Sequence, residues 1–131
     1  MSAVRSNFLR AVIALDAAAC GVLGLGLAAG GAAVAGLLGL PLALIQPVGL
    51  FLIGYAGLLA WLALRPSLPR AVVWCLVGFN ALWALESVLL VVLGWVHPTA
   101  FGMALVVGQG LAALVVADLQ FLSLRRARAA A

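Results

Sequence analysis

From Ala11 to Leu64 the chain carries one charged side chain, Asp16, and from Ala71 to Leu124 only two, Glu86 and Asp118. All of its basic residues are arginines, and they fence these two stretches: Arg5 and Arg10 before the first, Arg65 and Arg70 between them, Arg125, Arg126 and Arg128 after the second. A hydrocarbon core about 30 Å thick takes about 20 apolar residues per helix, so each stretch has the length for two crossings. The remaining composition agrees, with 131 residues that are 68% hydrophobic and 8% charged, against about 25% charged in soluble globular proteins. The fold class that follows is an all-α membrane protein, residues 1–131 forming four transmembrane helices in an antiparallel bundle with no soluble domain.

The apolar run from Phe8 to Leu40 is too long for one simple helix, and Gly30 with Gly31 marks the break. The pattern places helices at about 8–29, 43–64, 70–94 and 99–124, with a short interfacial or re-entrant piece at 32–39 that Pro41 ends. The loop "RPSLPR" separates the second and third spans, and Thr99 in "GWVHPT" is placed to cap the fourth. Neither the first–second nor the third–fourth connection contains an arginine. By the positive-inside rule, both termini of this multi-pass chain then face the cytoplasm. Asp16 within the first apolar stretch argues against a cleaved signal sequence. The dispersed arginines form no phosphate-binding patch, so no nucleic-acid partner is expected.

An internal echo divides the chain. "RAV" at 10–12 recurs at 70–72, and "LALR" ending at Arg65 recurs as "LSLR" ending at Arg125. Two duplicated helical hairpins, related by an axis along the membrane normal, would produce this pattern.

An ionisable group within a bilayer costs roughly 2.5–3.5 kcal/mol on insertion scales, so each one calls for a depth and a face. Helical rise from the nearest arginine puts Glu86 and Gln109 both at about 24 Å above the cytoplasmic end. They are read as a pair, Glu86 a neutral acid donating to Gln109, with Gln46 about one turn higher closing a small polar pocket. Gly26 and Gly49 at that level leave space unfilled. A second layer at about 15 Å holds Tyr55, Asn80 and Cys20, with a hydrogen bond expected between Tyr55 and Asn80. Asp16 and Asp118, at about 9–10 Å, are expected in an interfacial charge network with arginines rather than in catalysis. Spacings Ala17–Gly21 and Gly24–Ala28 give the first helix a small-residue face for close helix contact. Trp61, Trp74 and Trp95 sit near span ends, as interfacial anchors do. His97, the sole histidine, is a turn residue; it builds no metal site. Cys20 and Cys75 are expected to be free thiols at unequal depths. No nucleophile–base arrangement, phosphate loop, CxxC or HExxH is present, so no enzyme and no cofactor are expected.

The segments "FLRAVIALDAAACGVLGL", "LLGLP", "NALWALES", "HPTAFG" and "LQFLSLRR" resemble a group of small four-helix bacterial inner-membrane proteins of uncharacterised activity. The resemblance spans nearly the whole chain and implies the same fold and location. Small multidrug-resistance transporters also have four short spans and a membrane-embedded glutamate. Theirs lies in the first helix, where this chain has Asp16. Taken together, the sequence leads to an accessory or structural membrane subunit that docks on itself or on other membrane subunits. Two alternatives stand beside it: an oligomeric small transporter or channel-like protein using Glu86, and a lipid- or quinone-binding protein using the glycine-lined space.

Overall fold

A computed structural model describes residues 3–130, and of these the side chains of 128–130, Arg128 among them, lie outside the described set. The elements in chain order are β1 (Ala3–Val4), α1 (Asn7–Ala29), α2 (Gly31–Leu38), α3 (Leu42–Ala63), β2 (Leu68–Pro69), α4 (Arg70–Val92) and α5 (Ala100–Ala130). All the helices except α2 are long and apolar enough to cross a membrane, and they pack as the all-α four-helix bundle that the sequence dictates.

Local chemistry sets the boundaries. Ser6 caps α1, its hydroxyl accepting from the Leu9 N–H at 3.0 Å. Gly30 ends the helix, and Gly31 takes φ +58°, a left-handed value open to glycine at little cost, so that α2 sets off in a new direction. The 32–39 piece is therefore a true helix of about two turns, Gly31–Leu38. Its C-terminal carbonyls, which have no partner within a helix so short, are taken by the start of α5. Thr99 donates from its backbone N–H to Leu38 O at 3.0 Å and from its hydroxyl to Leu37 O at 2.8 Å. The same hydroxyl accepts from Gly102 N–H at 3.1 Å, which makes Thr99 the N-cap of α5.

Two boundaries differ from the sequence pattern. The third span stops at Val92, where Gly94 turns left-handed at φ +72°. The fourth continues through the arginines to Ala130 rather than stopping near 124, because alanine and arginine are both strong helix formers and cations favour a helix C-terminus.

Helix packing is strongest within two pairs, α1 with α3 and α4 with α5. In the first pair the small-residue face of α1 sits on α3, Gly24 and Ala28 against Gly49, and Gly21 beside Ala56. Each pair is also tied in the same way at the arginine end. Arg10 donates from Nε to Ala63 O at 3.0 Å, and Arg70, sixty residues on, donates from Nη1 to Leu124 O at 3.3 Å. The short strands close this end, Ala3 opposite Pro69 and Val4 opposite Leu68, burying Val4 and Leu68 over Leu9, Leu59 and Leu124.

Across the seam between the hairpins, α3 and α4 meet through rings rather than backbone. Tyr55 and Phe79 lie 4.5 Å apart between centroids, Phe51 and Phe79 5.8 Å, and Phe51 and Trp83 6.0 Å in a stacked arrangement. Such wide spacers hold two helices apart, and what they leave open becomes the site.

Candidate functional site

On α4 the buried positions are Val73, Leu76, Asn80, Ala84 and Ser87, a stripe at three- and four-residue intervals. Asn80 and Ser87 on that stripe, with Trp83 beside it, face α5. Gln109 on α5 organises the outer half. Its Oε1 accepts from Trp83 Nε1 at 2.6 Å, while its amide N–H groups donate to Ser87 Oγ at 2.7 Å and to Val106 O at 2.8 Å. Ser87 donates onward to Trp83 O at 2.8 Å. The expected pairing of Glu86 with Gln109 is not formed. Glu86 is about 100° around the helix from Ser87, lies on the exposed surface, and leaves the amide to Trp83 and Ser87.

Glu86 and Gln109 nevertheless share a cavity of about 550 Å³ between the two hairpins. Its walls come from Leu23 and Leu27 on α1, Ile45 and Leu52 on α3, Leu89 on α4 and Val106 on α5. Leu82, Leu85 and Trp95 also line it and are 54%, 54% and 68% exposed, so it opens on the outer flank of α4, the surface that faces lipid in a membrane. A second crevice of about 350 Å³ adjoins it, lined by Phe51, Phe79, Trp83 and Glu86. Val48, Leu82, Trp83 and Glu86 belong to both, which puts the Glu86 carboxyl on the ridge between them.

Two further expectations for this region are corrected. Gln46 is exposed and lines neither space, because its neighbour Ile45 takes the bundle-facing position on α3. Gly26 and Gly49 do not border a void. Gly26 faces outward, and Gly49 is pressed against the α1 backbone at Ala28 and Gly24. The open volume is lined by leucines instead, held apart by the aromatic spacers.

Toward the arginine end lies a separate polar layer. Asn80 Nδ2 donates to Gln120 Oε1 at 3.1 Å, and Cys20 Sγ donates to Asp16 Oδ1 at 3.5 Å. Asp16 is 8% exposed and Gln120 is wholly buried. Asp16 Oδ2, Tyr55 OH and Gln120 Nε2 are buried without a partner. The expected Tyr55–Asn80 bond is therefore absent: the phenol lies among Phe51 and Phe79 on the α3–α4 seam, while Asn80 turns to α5. Asp16 likewise leaves the interfacial network predicted for it. It points into the core, and its bonded neighbour is a thiol rather than an arginine. Asp118 is exposed, on the opposite side of α5 from Gln109.

Gln120 shares a face of the fourth span with Gly102 and Gln109 by helical spacing, but sequence reasoning gave it no partner. Its signal was present, since it lies five residues before Arg125 and Asp16 lies six after Arg10, which puts both at nearly one level. Cys20 and Cys75 are free. Among the described residues no grouping of three or more His, Cys, Asp or Glu side chains could hold a metal ion.

The class of protein is thus a multi-pass membrane protein, a four-helix bundle of two hairpins with a cleft in one flank. Comparison with known proteins finds no matching family model, no matching curated sequence and no matching solved structure.

Proposed function

We propose that this chain is a bacterial inner-membrane protein, of the kind its sequence resembles, that binds a hydrocarbon-chain molecule drawn from the bilayer. The observation that carries this reading is the cleft of about 550 Å³ with leucine walls and an exposed, lipid-side mouth. Its volume falls within the roughly 300–1,000 Å³ of small-molecule sites. Close-packed interiors keep few voids larger than a water molecule, so a subunit that served only as packing would have no physical reason to hold this one open. Of the polar side chains lining the space, Trp83, Ser87 and Gln109 satisfy one another. An apolar chain can lie against them without leaving a donor stranded.

The arginine distribution supports cytoplasmic termini. Reporters fused after Ala131 and inserted at His97 should report opposite sides of the membrane; the same side for both would sink that topology. For the ligand, native mass spectrometry of protein from a mild, lipid-retaining detergent should find a bound molecule of acyl-chain type. Filling the cleft with Leu27→Trp or Val106→Trp should remove it while the bundle stays folded by circular dichroism. No bound molecule in the parent protein, or retention in both filled variants, would overturn the reading.

A further inference from the structure

Two polar groups lining the cleft join no hydrogen bond among the described residues, the Trp95 N–H at its exposed mouth and the Glu86 carboxyl, and the sign of the second specifies the ligand's other end. Around the two connected spaces, Trp83 N–H goes to Gln109, both Gln109 amide N–H groups go to Ser87 and Val106, and Ser87 O–H goes to Trp83 O. Trp95 stands at the exposed mouth. What remains on the ridge is the Glu86 carboxyl, an acceptor that joins no hydrogen bond or ion pair among the described residues. It lies six residues before the end of α4, about 9 Å of helical rise from that end, in the outer half of the span and with no arginine in the connection beyond it.

The crevice beside it is aromatic. Phe51, Phe79 and Trp83 form its wall, with Phe79 and Trp83 centroids 5.9 Å apart and Phe51 and Trp83 6.0 Å apart. Ring faces attract cations through the quadrupole, more so where water is scarce. A carboxylate and three rings bordering one space repel an anionic head group and offer nothing to a hydrogen-bond acceptor. They suit a positive charge without directional demands.

We infer that the ligand is a single-chain cationic amphiphile, its hydrocarbon tail in the leucine-walled cleft and its ammonium group between Glu86 and the Phe51–Phe79–Trp83 wall. This rests on the chain-binding reading above and adds the head group to it.

The test uses the full-length protein in neutral-lipid nanodiscs and three probes of equal alkyl chain length: an alkyltrimethylammonium, an alkyl maltoside and an alkyl sulfate. The ammonium probe should bind about tenfold tighter than the maltoside, the scale of one desolvated cation–π contact with an ion pair, and the sulfate weakest. Glu86→Gln, at an exposed position where folding does not depend on the acid, should remove the ammonium preference and leave maltoside affinity unchanged. Phe51→Leu should reduce the preference by a smaller factor, and Asp118→Asn, on another face, should leave it intact. Equal binding of the three probes to the parent protein, or an undiminished preference in Glu86→Gln, would overturn the cationic assignment while leaving chain binding in place. Binding of none of them would overturn both.

Discussion

Replacing Gly49 by alanine should pry the first hairpin apart. A Cβ built at Gly49 meets three backbone atoms of α1: Ala28 N at 2.5 Å, Gly24 O at 2.8 Å and the Leu27 carbonyl carbon at 3.0 Å. No side-chain rotamer relieves a clash with backbone, so the helices themselves must separate. Bringing 2.5 Å out to an ordinary contact of 3.4 Å takes about 0.9 Å along that line. A gap of 0.5–1 Å forfeits a quarter to a half of each dispersion well along the crossing, and overpacking of this kind costs about 1–3 kcal/mol. Every 1.4 kcal/mol is tenfold in the folded-to-unfolded ratio, so the loss should be plain in detergent unfolding followed by far-ultraviolet circular dichroism. Gly54→Ala and Gly57→Ala on the same helix supply the control, since a Cβ there meets nothing within 4 Å. Those two should be neutral or stabilising by up to about 1 kcal/mol, the helix-propensity difference between glycine and alanine. If Gly49→Ala proved as stable as Gly54→Ala, the close crossing of α1 and α3 would be refuted. With it would go the position of Leu23, Leu27, Ile45 and Leu52 on two sides of the cleft.

Other expectations follow from the polar contacts. Asn80→Leu leaves the Gln120 amide wholly buried without its donor and should cost about 1–3 kcal/mol. Gln120→Leu on top of it should restore part of that loss, and additive losses in the double-mutant cycle would contradict the pairing. Gln109→Leu strips the acceptor from Trp83 Nε1 at one wall of the cleft, at a comparable cost of about 1–3 kcal/mol. A tryptophan emission spectrum identical to that of the parent would count against the indole–amide bond.

Much of the architecture was legible in the chain. Two charge-poor stretches between arginines set the number of spans, because the length of an apolar helix and the thickness of a bilayer are fixed quantities. Gly30 and Gly31 broke the first apolar run where the pattern placed the break, since a left-handed residue at Gly31 is cheap only for glycine. The small-residue spacing on α1 marked the face that approaches α3 most closely. Even the rotation of Glu86 away from Ser87 could be counted from the sequence. What counting along one helix could not supply was the partner: Glu86 and Gln109 match in height, yet the amide answers to Trp83 and Ser87 because these face α5 and Glu86 does not.

Levels and faces are therefore properties of the sequence, fixed by 1.5 Å of rise and about 100° of turn per residue. Which faces meet is decided by packing. Glycines drew α1 onto α3 and rings kept α3 off α4, so Asp16 turned inward, Gln46 turned outward, and the open space fell among leucines. Distances between helices depend on the bulk of every side chain along both crossings at once, and only the assembled bundle expresses that sum.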